Sequence, residues 1–296
     1  MVDFIGDIHG HADKLEALLE KLGYQKTGGV YQHPTRKVFF LGDFIDRGPK
    51  ILEVLNIAIP MIESGSAQAI MGNHEYNYLA FHTPTKSGEG FLRQRSDKNQ
   101  KQCQETINQL SDSENKRLLS WIWKLPLWID TDEFRAIHAC WDQPSAEKIK
   151  ASSMGNKLNL ETLYESSIKN TPTYHAIETL LKGKEVNLPP ELHFHDKDGH
   201  KRTEARVCWW DKDRKILIPT KHIDPETYQT HKEKLPIPET PIEKPTFFGH
   251  YWESGTPKII NPRAVCLDYS VAKNGHLCAY RFDGEGELES EKLIWV

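Results

Sequence analysis

The sequence predicts an α/β fold built on a parallel sheet, and two observations carry that reading. Three short apolar runs, Val2–Ile5, Val38–Leu41 and Ala67–Met71, are separated by two stretches of helical periodicity. This is the βαβαβ rhythm of parallel strands joined by helical crossovers. Each run also ends in glycine and a polar cluster: Gly6-Asp7 with His9 close behind, Gly42-Asp43, and Gly72-Asn73-His74-Glu75. Open α/β sheets bind ligands at the carboxyl ends of their strands, so all three clusters fall where a site belongs.

The elements follow in order. After the first strand, Ala12, Leu15, Leu18, Leu19 and Leu22 recur at helical spacing and Gly23 stops the helix. Tyr24 to His33 reads as a small hairpin turning at Gly28-Gly29. A second helix runs from about Lys50 to Glu63 with Ile51, Leu55, Ile59 and Ile62 on one face, and Pro60 is expected to bend or shorten it. Residues 76–135 read as mostly helical, with Trp121, Trp123 and Trp128 packing in the core, and Ala136-Ile137-His138 as a strand end. From about Gln143 to Arg206 the pattern changes. It offers two short helices, Leu160–Lys169 and Tyr174–Leu181, and a hairpin from Leu192 to Arg206 turning at Asp198-Gly199. One domain over 1–296 with residues 143–206 as an insertion or cap is expected. Pro219–Pro245 reads as an ordered surface loop. The C-terminal part is β-rich: Thr246-Phe247-Phe248 ends at Gly249-His250, and Asn274-Gly275 turns between Ala264–Asp268 and Leu277–Phe282.

Composition narrows the function classes. The 296 residues are 38% hydrophobic and 27% charged, enough for a proper core without staples. Net charge is −4, which removes the basic footprint of a general nucleic-acid binder. No apolar run is long enough to span a membrane as a helix. The five cysteines are odd in number and lack C-x-x-C spacing, so reduced, buried thiols are expected rather than a cysteine-ligated zinc. The start Met1-Val2-Asp3 has neither the basic stretch nor the apolar run of a signal peptide, and a cytoplasmic protein is expected.

Taken singly, the polar clusters have bland explanations: a helix-capping carboxylate, a structural Asp–Arg pair, exposed histidines. Taken together, five strand ends each offer a metal- or phosphate-competent group. Asp and His are suitable ligands for manganese, iron or zinc, and an asparagine oxygen adds a neutral one. A two-metal site also needs a carboxylate able to bridge ions about 3.5–4 Å apart.

The runs GDIHGH, GDFIDRGP and GNHE, a strand-borne His138 before Ala139, and Gly249-His250 after an apolar strand resemble the calcineurin-like metallophosphoesterases. Within these the chain is most similar to the PPP-type phosphatases, including bacterial and phage members. The resemblance covers roughly residues 1–140 and 246–296. It implies a four-layer α/β/β/α sandwich of two mixed sheets flanked by helices. It also implies that Asp7 and His9 hold a first metal, that Asp43 bridges both, and that Asn73, His138 and His250 complete the second. His74 is then the general acid oriented by Asp46, and Arg47 and Asn73 bind phosphate. The implied cofactors are two divalent ions, manganese first, with iron and zinc as alternatives. The implied reaction is in-line hydrolysis of a phosphomonoester by a metal-bridging hydroxide. The expected partner is a phosphorylated small molecule, nucleotide or phosphoprotein, with no stable nucleic-acid partner and no membrane. A P-loop is absent, and no cysteine sits in a glycine-rich loop ending in arginine.

The sequence departs from that family in two places. PPP-type phosphatases carry a basic, phosphate-contacting residue before GNHE, where this chain has Met71. A second phosphate-binding arginine is also expected. Arg206 is the candidate, with Lys212, Arg214 and Arg202 as competitors. Symmetrical diadenosine-tetraphosphate hydrolases share the fold and the motif order. They typically lack the equivalent of Asp46 and carry Asp in place of Glu75, but they share an apolar residue at the Met71 position. Hydrolysis of a dinucleoside polyphosphate or a phosphodiester is therefore the alternative, and a non-catalytic phosphate-binding protein is the third reading. The tract His193–Asp196 with His200 reads as exposed hairpin histidines rather than a second metal site. Trp209-Trp210 and Tyr251-Trp252 either line the substrate mouth or pack a cap on the core.

Overall fold

The computed structural model describes residues 1–153, 155–195, 201–217 and 225–296. The chain begins with β1 (Val2–Ile5), α1 (Ala12–Lys21) and the hairpin β2 (Gln25–Thr27) and β3 (Val30–Gln32). Then β4 (Lys37–Phe40), α2 (Ile51–Glu63) and β5 (Ala67–Ala69) complete the expected βαβαβ unit. Helices α3 (Asn73–His82), α4 (Asp97–Gln109) and α5 (Asp112–Ile122) lead to β6 (Trp128–Asp130) and β7 (Arg135–Ile137). The middle of the chain contributes α6 (Gln143–Ser152), α7 (Leu160–Ser166) and α8 (Pro172–Lys182). It also holds the short strands β8 (Glu185–Asn187), β9 (Phe194–His195), β10 (Lys201–Arg202), β11 (Glu204–Val207) and β12 (Ile216–Leu217). After α9 (Pro225–His231) come β13 (Thr246–Phe248), β14 (Ala264–Cys266), β15 (Asp268–Tyr269), β16 (His276–Phe282) and β17 (Leu293–Trp295).

Two mixed sheets form the centre. In the first, ordered β15-β16-β1-β4-β5 with β17 also on β16, β1, β4 and β5 run parallel and β16 antiparallel to β1. In the second, ordered β14-β13-β7-β6, the first three are parallel. Side chains alternate across a strand, and here both faces are apolar. Phe4, Phe39, Phe247, Val265 and Tyr280 meet between the sheets, where the rings of Phe4 and Phe247 stack with centroids 3.7 Å apart. The neighbours Ile5, Phe40, Ile137 and Phe248 point the other way, into the core shared with Leu15, Leu18, Val54, Ile177 and Leu180 of the helices. The result is the four-layer sandwich. The parallel strands read as continuous apolar runs because both faces are buried.

Several elements differ from expectation. Helix α2 continues through Pro60 to Glu63, giving up the one ladder bond that an N–H at this position would make to the Asn56 carbonyl. Helix α6 was not anticipated. Its N-cap Asp142 accepts from Ser145 N at 3.0 Å, a capping signal that its weak apolar pattern hid. The expected loop at Pro219–Pro245 contains α9, anchored where Tyr228 Oη donates to the Arg214 carbonyl at 2.6 Å. The Leu192–Arg206 hairpin is shorter than expected. Strands β9 and β10 pair from Phe194 to Arg202, and the turn at Asp198-Gly199 lies outside the described residues. Arg206 instead sits in β11, the central strand of a separate three-stranded sheet, opposite Glu185 and Leu217.

Because Phe247 closes the space between the sheets, Phe247→Ala is expected to cost about 3–5 kcal/mol. Chemical denaturation checks this, and a loss under about 1 kcal/mol would contradict the inter-sheet role.

Candidate metal centre

The carboxyl ends of β1, β4, β7 and β13 and the N-terminus of α3 converge at one edge of the sandwich. Asp7 and His9 follow β1, Asp43 follows β4, His138 follows β7 and His250 follows β13, while Asn73 and His74 open α3. All are buried. The structure thus brings together all the expected ligands, which span 243 residues of sequence from Asp7 to His250.

Asp43 lies at the centre. Its Oδ2 is 3.5 Å from His9 Nε2 and its Oδ1 is 3.5 Å from His138 Nε2. Two groups of closely spaced donor atoms, His9-Asp43-His74 and Asp7-Asp43-His138, share this one carboxylate. On the His138 side, Asn73 Oδ1 is 3.1 Å from His138 Nε2 and 2.7 Å from His250 Nδ1. Backbone carbonyls settle the tautomers: Nδ1 of His9 donates to Ile45 O at 3.0 Å, and Nδ1 of His138 to Leu41 O at 2.8 Å. Each Nε2 then faces the cage, the usual arrangement of a metal-binding histidine.

These residues fit two divalent cations. His9 Nε2 is buried with no hydrogen-bond partner, a costly state for a nitrogen unless something binds it. Burial pushes His9 and His250 well below the usual histidine range, so both are neutral and ready to ligate. Burial also opposes charge on His138, yet the Asp43 carboxylate outweighs it and raises the imidazole to about 10. Burial raises the Asp7 carboxyl, with Asp268 adding to the effect. Burial works against ionisation of Asp43 too, but His138 and His74 hold it well below the carboxylate range. The cage therefore attracts positive charge.

Backbone strain is concentrated here. Ten non-glycine residues among those described have positive φ, and six of them are His9, Asp43, Asp46, Arg47, His250 and Trp252. Such conformations persist only where the surroundings over-determine them. Glu75 does much of that: its carboxylate accepts from the backbone N of Asp43 and Phe44 at 2.9 Å and of Gly72 at 3.0 Å. Burial and the nearby Asp43 raise Glu75 to about 7. Gly72 and Gly249 are required by crowding, since a β-carbon at either would overlap the carboxylate of Asp43 or Asp7.

Beside the cage, His74 Nδ1 donates to Asp46 Oδ2 at 2.6 Å, and Arg47 Nη2 donates to His74 Nε2 at 3.1 Å. Arg47 lies over the Trp252 ring, 3.8 Å from its centroid. Asp46 is held in turn by Thr106, whose Oγ1 donates to Asp46 Oδ1 at 2.5 Å and accepts from Asp46 N at 3.0 Å. Thr106 escaped the sequence reading. The one available signal is a polar residue three positions after Cys103 on the buried face of α4. Asp268, buried and bound by the backbone N of Trp252 at 2.8 Å, was also missed.

Arg206 lies near the site, close enough to His250 to disfavour its charged form, but its Nη2 faces Glu185 at 3.4 Å. Met71 is fully buried in the core. Trp209 and Trp210 pack on Phe248, with centroids 4.5 and 4.9 Å away, and so join the middle segment to the second sheet. His193 and His195 form no cluster with the site, and Asp196 and His200 lie outside the described residues. The five cysteines are free and buried. No helix among the described residues is long and apolar enough to cross a membrane.

A model of the calcineurin-like phosphoesterase family matches residues 1–239. The chain belongs to that family. The match runs through the middle segment and stops short of His250, which reaches the site through the pairing of β13 with β7. The symmetrical bis(5'-nucleosyl)-tetraphosphatase of Vibrio parahaemolyticus is 25% identical over 98% of both chains. The asymmetrical bis(5'-nucleosyl)-tetraphosphatase PrpE of Oceanobacillus iheyensis is 45% identical over 74 residues, 25% of this chain and 30% of that relative's length. A crystal structure provisionally assigned as a diadenosine tetraphosphatase superposes with a TM-score of 0.51 at 16% identity, covering 100% of this chain and 92% of that one. At that identity the likeness speaks for the phosphoesterase fold alone.

Two expectations follow for this family member. Thr106→Val keeps the volume but removes both bonds to Asp46, and turnover should fall about 10–100-fold with the fold retained. Unchanged turnover would remove Thr106 from the positioning of the dyad. The second concerns the chelator-treated protein. His138 is raised from 6.5 to about 10, so over that window the folded state binds the extra proton and stability falls as pH rises. A melting temperature that declines from pH 7.5 to 9.5, with the slope lost in His138→Gln, is expected; a flat profile would contradict it.

Proposed function

We propose that this phosphoesterase hydrolyses phosphomonoesters at a dinuclear metal centre, with His74 as general acid. The observation that carries this reading is the 2.6 Å bond from His74 Nδ1 to Asp46, with the opposite ring nitrogen 3.9 Å from Asp43 Oδ2 at the edge of the cage. Asp7, His9, Asp43, Asn73, His138 and His250 would hold the two ions. When bound, the ions activate a water for attack on phosphorus and neutralise charge on the phosphoryl oxygens.

The chain's own residues supply the rest. Arg47, planar and steadied over Trp252, presents paired N–H donors to the equatorial phosphoryl oxygens. In the protein alone it donates to His74 Nε2, which keeps that nitrogen unprotonated. Moving Arg47 onto the phosphate frees Nε2 to take up a proton from solvent. Asp46 stabilises the imidazolium so formed and aims it, and Nε2 then protonates the departing alkoxide. Asn73 contributes a neutral oxygen, which limits the negative charge facing an anionic substrate.

A second reading is hydrolysis of a dinucleoside polyphosphate. It is favoured by the end-to-end likeness to a symmetrical bis(5'-nucleosyl)-tetraphosphatase and by the apolar Met71 in the place of a phosphate-contacting base.

With added manganese, wild-type protein should hydrolyse an aryl phosphate and lose this activity in chelator. His74→Asn should lower kcat on an alkyl phosphate by about 10²–10⁴, and less on a nitrophenyl ester whose leaving group needs no proton. Equal losses on both esters would remove the general-acid role. Comparing rates on a phosphopeptide, a nucleotide and a dinucleoside tetraphosphate separates the two readings.

A further inference from the structure

His74 belongs to α3 and Thr106 to α4, and the two helices meet at one carboxylate. His74 Nδ1 donates to Asp46 Oδ2 at 2.6 Å and Thr106 Oγ1 to Asp46 Oδ1 at 2.5 Å. A second bridge joins the same two helices through Arg93. Its Nη1 donates to Asn77 Oδ1 at 3.2 Å and its Nη2 to Gln102 Oε1 at 2.8 Å. Asn77 lies three residues after His74, and Gln102 four residues before Thr106. Residues three or four apart are neighbours on one face of a helix, so the second bridge stands one turn from the first on each helix. The backbone N of Arg93 also donates to the Ala80 carbonyl of α3 at 2.9 Å, which fixes the residue against that helix.

Arg93 is half-buried and Asn77 is buried. Burial pulls the Arg93 guanidinium below the usual arginine range, yet an arginine keeps its charge in a protein. Both side-chain acceptors are neutral amide oxygens. A carboxylate would compensate the charge better. What two amides on two helices provide is geometry: a planar fork with fixed donor directions holds both acceptors at a set spacing, which a lysine ammonium does not do.

We propose that Arg93 is a positioning residue for proton delivery: it braces α3 against α4 and so keeps His74 aligned on the Asp46–Thr106 pair, with Nε2 aimed at the leaving group. The inference rests on the general-acid reading of His74. A displacement of about 1 Å at a reacting group can cost about 100-fold in rate, and one hydrogen bond to Asp46 leaves the imidazole free to tilt about it. The side-chain bonds of Arg93 go to neither Arg47 nor a proposed metal ligand. Phosphate binding therefore does not depend on the brace, and its loss falls on the step that needs a proton.

Steady-state kinetics of the manganese-loaded full chain on an alkyl phosphate and a nitrophenyl phosphate test this. Arg93→Met should lower kcat on the alkyl ester by about 10–100-fold, while kcat on the nitrophenyl ester and both KM values stay near wild type. Arg93→Lys keeps the charge without the fork and should show the same selective loss. Gln102→Leu removes one arm with Arg93 in place and should show a smaller loss of the same kind, which keeps the test open if Arg93→Met does not fold. Equal losses on the two esters, an unchanged kcat in Arg93→Met or Gln102→Leu, or full activity in Arg93→Lys would overturn the brace. His74→Asn, measured alongside, separates the two readings. A selective loss there with none in the Arg93 variants removes the brace alone, whereas equal losses in His74→Asn remove the general-acid reading and the brace with it.

Discussion

The arrangement of the site depends on one buried carboxylate. Asp43 is taken out of water and still held as an anion by His138 and His74. A lone buried carboxylate would protonate instead. What keeps it charged is its place at the joint edge of the sheets, where His138 arrives from the end of β7 and His74 from the start of α3. The surrounding peculiarities serve that placement: the left-handed backbone at Asp43, the glycine at 72, and the Glu75 carboxylate tied to four backbone N–H groups. Glu75 itself is uncomfortable as an anion, which shows how far burial has gone around the loop.

From that centre the chemistry divides by direction. Toward α4, Thr106, Asp46 and His74 form a chain of short hydrogen bonds suited to delivering a proton. Toward the loop after β15, the Trp252 ring carries Arg47 and Lys273, 3.8 and 3.9 Å from its centroid.

Much of this was legible in the sequence. Strand ends are marked by glycine and a polar group because a buried parallel strand must stop where the backbone turns toward solvent or ligand. That regularity located Asp7, Asp43, Asn73 and His74, and the apolar runs before His138 and His250 located those two. Less legible were interactions made only by tertiary packing. Nothing local to Thr106 says that its hydroxyl meets a carboxylate 60 residues earlier in the chain. Helices α6 and α9 offer little apolar periodicity to read; the capping Asp142 marks the start of α6, and a tyrosine bond anchors α9. Arg206 was placed on a hairpin because alternation alone cannot tell which of several short strands will pair.

Asp43 as a shared ligand is tested most directly by counting metal. After reconstitution with manganese and removal of excess, elemental analysis of the wild-type chain should give two ions per chain. Asp43→Asn should retain fewer than one while keeping the secondary structure. A wild-type value of one or none, or an Asp43→Asn chain that still holds two, would contradict a centre organised around that carboxylate.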